Sequence, residues 1–170
     1  LYIDASSGSP VLYMIGEDAE GTNYLFHGVN LVTKAIVLSV KADIKETAYK
    51  VEDFIVSNDG NMYVGGYMGD GLASIDLASG ARWRTGRGTG INQIEGMIES
   101  DNNTIYIGSY GSADLLKYTK DPLEIKRIAR LRVTYDQSRP FAWALAAGKV
   151  ITGTVPDYGL QGGALAVINP

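Results

Sequence analysis

The chain is 170 residues long, 45% hydrophobic and 20% charged, with a net charge of −4 and no cysteine. That balance belongs to a globular protein. It excludes a disulfide framework or a thiolate-held metal and argues against a nucleic-acid groove, which needs a basic stripe. No run reaches the length of about eighteen apolar residues that spans a membrane, because the longest, Leu31 to Val40, is broken by Thr33, Lys34 and Ser39.

Taken in order, the segment Leu1-Tyr2-Ile3-Asp4-Ala5-Ser6-Ser7-Gly8 lines up with Ala73-Ser74-Ile75-Asp76-Leu77-Ala78-Ser79-Gly80. The second stretch reads as the third strand of a repeat unit and its turn. The chain is therefore expected to open inside a unit, over residues 1–9. Residues 10–51 leave two readings. Either Val11 begins a unit with Tyr24 to Gly28 and Lys34 to Leu38 as its second and third strands and Lys45 to Val51 as its outer one, or Val11 to Ile15 is the outer strand of the preceding unit.

The next two units are plainer. Over 52–92, Asp53 to Val56 is the inner strand, followed by Met62 to Val64, Ala73 to Ile75 and Arg82 to Arg84. Over 93–140, Gly96 to Ile98 is followed by Ile105 to Ile107, Leu115 to Tyr118 and Ile125 to Ala129. The last segment, 141–170, supplies Phe141 to Ala146, Lys149 to Thr152 and Ala164 to Ile168. Ile94 to Ile98 and Phe141 to Ala147 would also fit two helical turns, but short apolar runs punctuated by glycine suit buried strands.

One phrase recurs through these units. Tyr63-Val64-Gly65, Tyr106-Ile107-Gly108 and Val150-Ile151-Thr152-Gly153 each lead through a glycine-bearing loop into a further apolar strand. Gly65, Gly108 and Gly153 are about forty to fifty residues apart, the period of a four-stranded propeller blade. The expected fold is all-β: a partial β-propeller of about four blades of four-stranded antiparallel sheets, incomplete at both ends. Missing blades of the same parent chain are its expected neighbours.

On these residues the chain resembles the broad β-propeller superfamily of YVTN, quinoprotein-like and WD40-like repeats, over about 52–170. The strand-final Trp-Asp pair of WD40 repeats is lacking, since Ile75 precedes Asp76. The stretch from Arg139 to Val167 is similar to propellers of large secreted bacterial proteins, some bearing carbohydrate-active modules. The resemblance implies an extracellular or periplasmic setting, and a ligand face built by the loops between second and third strands and by those entering the inner strand.

Those loops are Tyr67-Met68-Gly69-Asp70-Gly71, Tyr110-Gly111-Ser112-Ala113-Asp114 and Val155 to Gly163. Aromatic rings beside carboxylates and amides suit a sugar, whose C–H face stacks while its hydroxyls bond. The contact residues expected are Tyr67, Asp70, Tyr110, Asp114, Arg139, Asp157, Tyr158 and Gln161. Glycine and aspartate also serve turns, so a purely structural role competes at each position. The arginine and threonine of Gly86-Arg87-Gly88-Thr89-Gly90 are expected on the same face, whereas Lys126, Arg127, Arg130 and Arg132 read as a solvated outer strand.

His27, the one histidine, reads as structural; a serine–histidine–acid triad could form only through it, and a histidine-rich metal site is excluded. Asp59-Gly60-Asn61 and Asp101-Asn102-Asn103 read as hairpin turns, since a calcium loop's terminal glutamate is missing. No metal, cofactor or nucleic acid is expected, and no catalytic residue is assigned. The leading expectation is a non-catalytic module that binds polysaccharide or protein. The rival is a propeller lyase, hydrolase or quinoprotein-like dehydrogenase, with tyrosine or aspartate as base and arginine neutralising a substrate carboxylate.

Overall fold

The computed structural model describes residues 2–6, 8–17, 24–41, 50–86, 88–100 and 103–170. Their strands form four antiparallel sheets, each a meander in chain order. The first holds β1 (Tyr2–Asp4), β2 (Val11–Glu17), β3 (Tyr24–Asn30) and β4 (Ile36–Lys41); the second holds β5 (Val51–Val56), β6 (Asn61–Gly66), β7 (Ala73–Asp76) and β8 (Arg82–Arg84). The third holds β9 (Ile94–Ser100), β10 (Thr104–Ser109), β11 (Asp114–Thr119) and β12 (Glu124–Arg130), and a short helix α1 (Leu131–Tyr135) leads to the fourth, β13 (Gln137–Ala146), β14 (Lys149–Pro156) and β15 (Leu165–Ile168). The sheets stand as successive blades and do not close a ring.

The apolar stretches weighed as helices, at Ile94 and Phe141, are strands. Both lie at a sheet's inner edge, where β9 packs between β5 and β13. The described strands between Tyr2 and Lys41 form a single sheet rather than parts of two. β1 pairs with β2 through Tyr2–Tyr13, Ile3–Leu12 and Asp4–Val11, and Ile36–Lys41 is the outer strand. Val51 opens the next blade, and residues 45–49 lie outside the described ones. The likeness between 1–8 and 73–80 has a local cause. Asp4 accepts the Ser6 amide (2.9 Å) as Asp76 accepts those of Ala78 (3.0 Å) and Ser79 (2.6 Å), and Gly8 and Gly80 follow at positive φ. Turn chemistry repeats wherever a strand must reverse, whatever the strand's place in its sheet.

Side chains alternate across each strand, and the middle blades bury both faces. Met62 and Val64 meet Tyr24, Phe26 and Ile75 at the seam between the first and second sheets, whereas Tyr63 joins Ile94, Ile105, Ile107, Leu116 and Tyr118 at the next seam. The third seam is smaller, with Ala113, Leu115 and Leu131 against Trp143, Ala166 and Ile168. The recurrent glycine is where neighbouring blades touch. A Cβ on Gly65 would lie 2.5 Å from Ile94 Cδ1, and one on Gly108 would lie 2.5 Å from the Pro140 carbonyl oxygen. The second strand of one blade needs glycine because the inner strand of the next crosses it there.

At the end of the sheets carrying the turn after β5, Lys120 lies almost fully buried. It pairs with Glu99 (2.5 Å) and Asp59 (3.0 Å) and donates to Asn103 Oδ1 (2.7 Å) and to Ser57 Oγ. The node ties the second blade to the third. Asp59 also accepts the Asn61 amide and the Tyr63 hydroxyl, each at 2.9 Å. Burial alone would raise its carboxyl, but these hydrogen bonds and those with Lys120 and Ser57 outweigh it and hold the group at about 2.

Candidate functional site

At the opposite end of the sheets, the β6–β7, β10–β11 and β14–β15 connections flank the beginnings of the inner strands. Arg139, near the start of β13, is the centre of the side-chain cluster there. The register of β13 against β14 shifts between Gln137 and Arg139 and again between Pro140 and Ala142. Such bulges re-aim side chains beside functional sites. The Arg139 guanidinium carbon lies 4.6 Å from the Tyr110 ring centre, 5.8 Å from that of Phe141 and 5.9 Å from that of Tyr158. Its Nη2 donates to the Tyr158 hydroxyl (2.8 Å), which lies 3.3 Å from the Tyr110 hydroxyl. A cation over ring faces is held by the ring quadrupole, more strongly where water is excluded.

Beneath this cage is Glu95 of β9, whose side chain has no exposed surface. Gln93 Nε2 donates to its Oε1 at 2.5 Å, and Gln93 Oε1 accepts the Met68 amide at 3.1 Å, so the β6–β7 loop is fastened to the same group. Glu95 Oε2 has no hydrogen-bond partner among the described residues and stands 3.9 Å from Arg139 Nη1. Burial pushes the Glu95 carboxyl up, opposed by the hydrogen bond from Gln93 and by the Arg139 charge. The Tyr158 hydroxyl is pulled down by its hydrogen bonds with Tyr110 and Arg139 and by the arginine charge, whereas the Tyr110 hydroxyl is pushed up through its bond to Tyr158.

Of the residues expected to make contact, the structure brings together Tyr110, Arg139 and Tyr158. Tyr158 is 74% exposed, so a ligand can reach its ring. Asp157 is adjacent but is held by Arg132 (2.6 Å) and accepts the Tyr158 amide (3.0 Å), which fixes the loop. Asp114 does not face solvent. It is buried as the first residue of β11 and grips Arg130 through two bonds of 2.8 and 3.0 Å. Asp70 accepts the Gly88 amide (3.1 Å), a bridge between loops. Tyr67 and Gln161 are exposed on the same set of connections, outside the cage. The basic stretch is only partly a solvated face, since Arg130 and Arg132 serve Asp114 and Asp157. Thr89 Oγ1 accepts the Ile91 amide (3.3 Å), and Arg87 lies outside the described residues.

Glu95, Gln93 and Phe141 belong to the site and were not expected there. The legible signal was a carboxylate set inside Ile94-Glu95-Gly96-Met97-Ile98, where an inner strand otherwise carries apolar side chains. Among the described residues no three of His, Cys, Asp and Glu gather to hold a metal, and no helix is long and apolar enough to cross a membrane.

No family model and no curated protein matches the chain. Solved structures do. Hydrazine synthase of Kuenenia stuttgartiensis superposes over 91% of this chain and 45% of its own, with a TM-score of 0.64 and 14% identity. Virginiamycin B lyase from Staphylococcus aureus covers 98% of this chain and 58% of its own, with a TM-score of 0.61 and 11% identity. A chain of the nidogen/laminin complex covers 86% and 57%, with a TM-score of 0.58 and 11% identity. The chain thus spans about half the length of these structures. They include enzymes and a protein–protein complex on one scaffold, and a scaffold hosts many functions. What they share with this chain is the β-propeller fold.

Proposed function

We propose that the chain is a non-catalytic binding module of an extracellular or periplasmic protein, and that its ligand is a carbohydrate held at the Arg139 cage. The observation that carries this reading is the open ring of Tyr158 beside an arginine already oriented by three aromatic side chains. A pyranose can stack its C–H face on Tyr158 while its polar groups take the remaining N–H donors of Arg139 and the two tyrosine hydroxyls. The fixed loop lowers the ordering cost of binding. The test is a screen of the protein on neutral and acidic oligosaccharides, followed by calorimetry. Arg139→Ala and Tyr158→Ala should each weaken binding at least about tenfold, roughly 1.4 kcal/mol, with Tyr67→Ala close to neutral. Retention on a protein array with no response to any oligosaccharide would replace the carbohydrate with a protein partner. Recovery of the protein only from the cytoplasmic fraction of its host would overturn the localisation.

A second reading is favoured by the Tyr158 hydroxyl lying 2.8 Å from Arg139 Nη2: a propeller enzyme in which Tyr158 removes a proton beside a carboxylate held by Arg139. Turnover of an acidic polysaccharide that falls about a hundredfold in Tyr158→Phe would establish it. Binding without turnover leaves the module.

A further inference from the structure

Glu95 poses a physical problem that the binding reading leaves unused. A carboxylate without exposed surface normally has both oxygens hydrogen-bonded, yet its Oε2 has no hydrogen-bond partner among the described residues and faces Arg139 Nη1 across 3.9 Å. The guanidinium therefore supplies charge compensation from just beyond bonding reach. Among the described residues it also donates to the Tyr158 hydroxyl and lies over three rings. A guanidinium carries five donors in a fork that matches a carboxylate, so Arg139 retains donors for an anionic group arriving from the Tyr158 side.

We propose that the site takes a carboxylate-bearing sugar on Arg139 and a proton on Glu95 together. The inference rests on the carbohydrate reading and adds the ligand's charge class and its coupling to pH. Once the ligand's carboxylate engages Arg139, the compensation that kept Glu95 ionised is shared, and a second anion stands nearby. Both effects favour the neutral acid, and a buried oxygen without a hydrogen-bond partner costs less when neutral than when charged. The other groups facing Glu95 act in the same direction or are neutral: Glu52 of β5 is a like charge, Gln93 is uncharged, and Tyr158 sits beyond the arginine. Asp53 of β5 is engaged by the Phe54 and Met97 amides. Burial already pushes the Glu95 carboxyl up, so the additional rise needed to capture a proton is reduced.

The experiment is calorimetry of the protein with a trisaccharide of galacturonic acid and the matched trisaccharide of galactose. Each is titrated across pH 5 to 8 in two buffers of different ionisation enthalpy. The acidic sugar should bind at least about tenfold more tightly than the neutral one, with uptake of close to one proton where Glu95 is charged in the free protein. Over that interval its affinity should fall by about tenfold per pH unit as pH rises. Glu95→Gln should keep the preference for the acid and lose the pH dependence. Should that variant fail to fold, the proton count on the unaltered protein decides alone. Equal affinity for the two sugars would overturn the charge class while leaving the carbohydrate reading intact. Affinity for the acid without proton uptake, or an unchanged pH profile in Glu95→Gln, would overturn the coupling. Failure of both sugars to bind would overturn this inference together with the reading beneath it.

Discussion

Asp53 and Asp59 carry the same functional group a few residues apart on the second blade, and their surroundings push them in opposite directions. Asp59 is held at about 2 by the bonds that outweigh its burial. Asp53 is raised to about 6, chiefly by burial, against the opposing pull of the Phe54 and Met97 amides. An acid whose folded pKa exceeds its unfolded value binds an extra proton in the folded state between the two. Stability therefore grows as pH falls from 7 through 6 towards 4, and is lost again on the way up. Asp53→Asn should abolish that slope and stabilise the protein at pH 8 by roughly 1–2 kcal/mol, after allowance for its partial exposure. Urea unfolding at pH 5 and pH 8 measures it, and a variant no more stable than the parent at pH 8 would contradict the assignment. The sequence put Asp53 on a strand and Asp59 in a turn but did not set their acidities apart, because these depend on how deeply each is buried and on the Lys120 ammonium that the neighbouring blade supplies to Asp59. The same holds at the site. Tyr110, Arg139 and Tyr158 were legible as an aromatic and basic set on recurring loops. Glu95 stood out only as a carboxylate in an apolar strand, because its charge partner Arg139 comes from β13 and Gln93 is what links it to the β6–β7 loop.

Strands and their connections were the most readable level. Arg82 to Arg84 and the three loops emerged from turn residues and period alone, since these are local chemistry. The helix at Leu131–Tyr135 was not foreseen. It has five residues, lacks a side-chain N-cap and ends on Asp136 in the left-handed region, so no capping pattern announced it. The start of β13 at Gln137, ahead of the Phe141 expected, was masked by Pro140, which a sheet tolerates at an edge or bulge; β13 is both. The recurrent glycine had a reason that periodicity could not reveal, the crossing of the next inner strand. Gly108→Ala should accordingly destabilise by about 2–4 kcal/mol through overpacking against Pro140 backbone and ring. Gly153→Ala, whose new Cβ would meet only Ala142 Cβ at an ordinary 3.6 Å, should cost well under about 1 kcal/mol. Paired thermal melts of the two variants test the contrast, and equal losses would refute it.

At the scale of the whole molecule, each seam has its own small core, and the blades are joined by few polar connections. A repeat architecture of this kind draws stability from neighbour interfaces. Lys120 makes such a connection between the second and third blades, to Asp59 on one and Glu99 on the other. Removing one partner from a buried ion pair leaves the others uncompensated, at a cost of about 3–5 kcal/mol. Lys120→Met should show that loss in denaturant unfolding, whereas Lys117→Met, on the same blade with its ammonium 5.9 Å over the Tyr106 ring, should lose less than about 1 kcal/mol. Equal losses would mean that the node is not the special tie.

The crossing of Gly108 by Pro140 has a further consequence. Gly108 stands two residues before Tyr110, and Pro140 directly follows Arg139, so this close approach between the blades is also the jaw that sets the width of the cage. The two halves of the proposed binding surface belong to different blades, yet their separation is fixed by backbone touching side chain, with no slack for a methyl group. Loop residues such as Tyr158 can be exchanged to alter what the jaw grips. The jaw itself admits no adjustment of gauge: a change at the glycine that moves the blades apart also pulls Tyr110 from Arg139, so on the proposed function fold stability and ligand affinity should fall together.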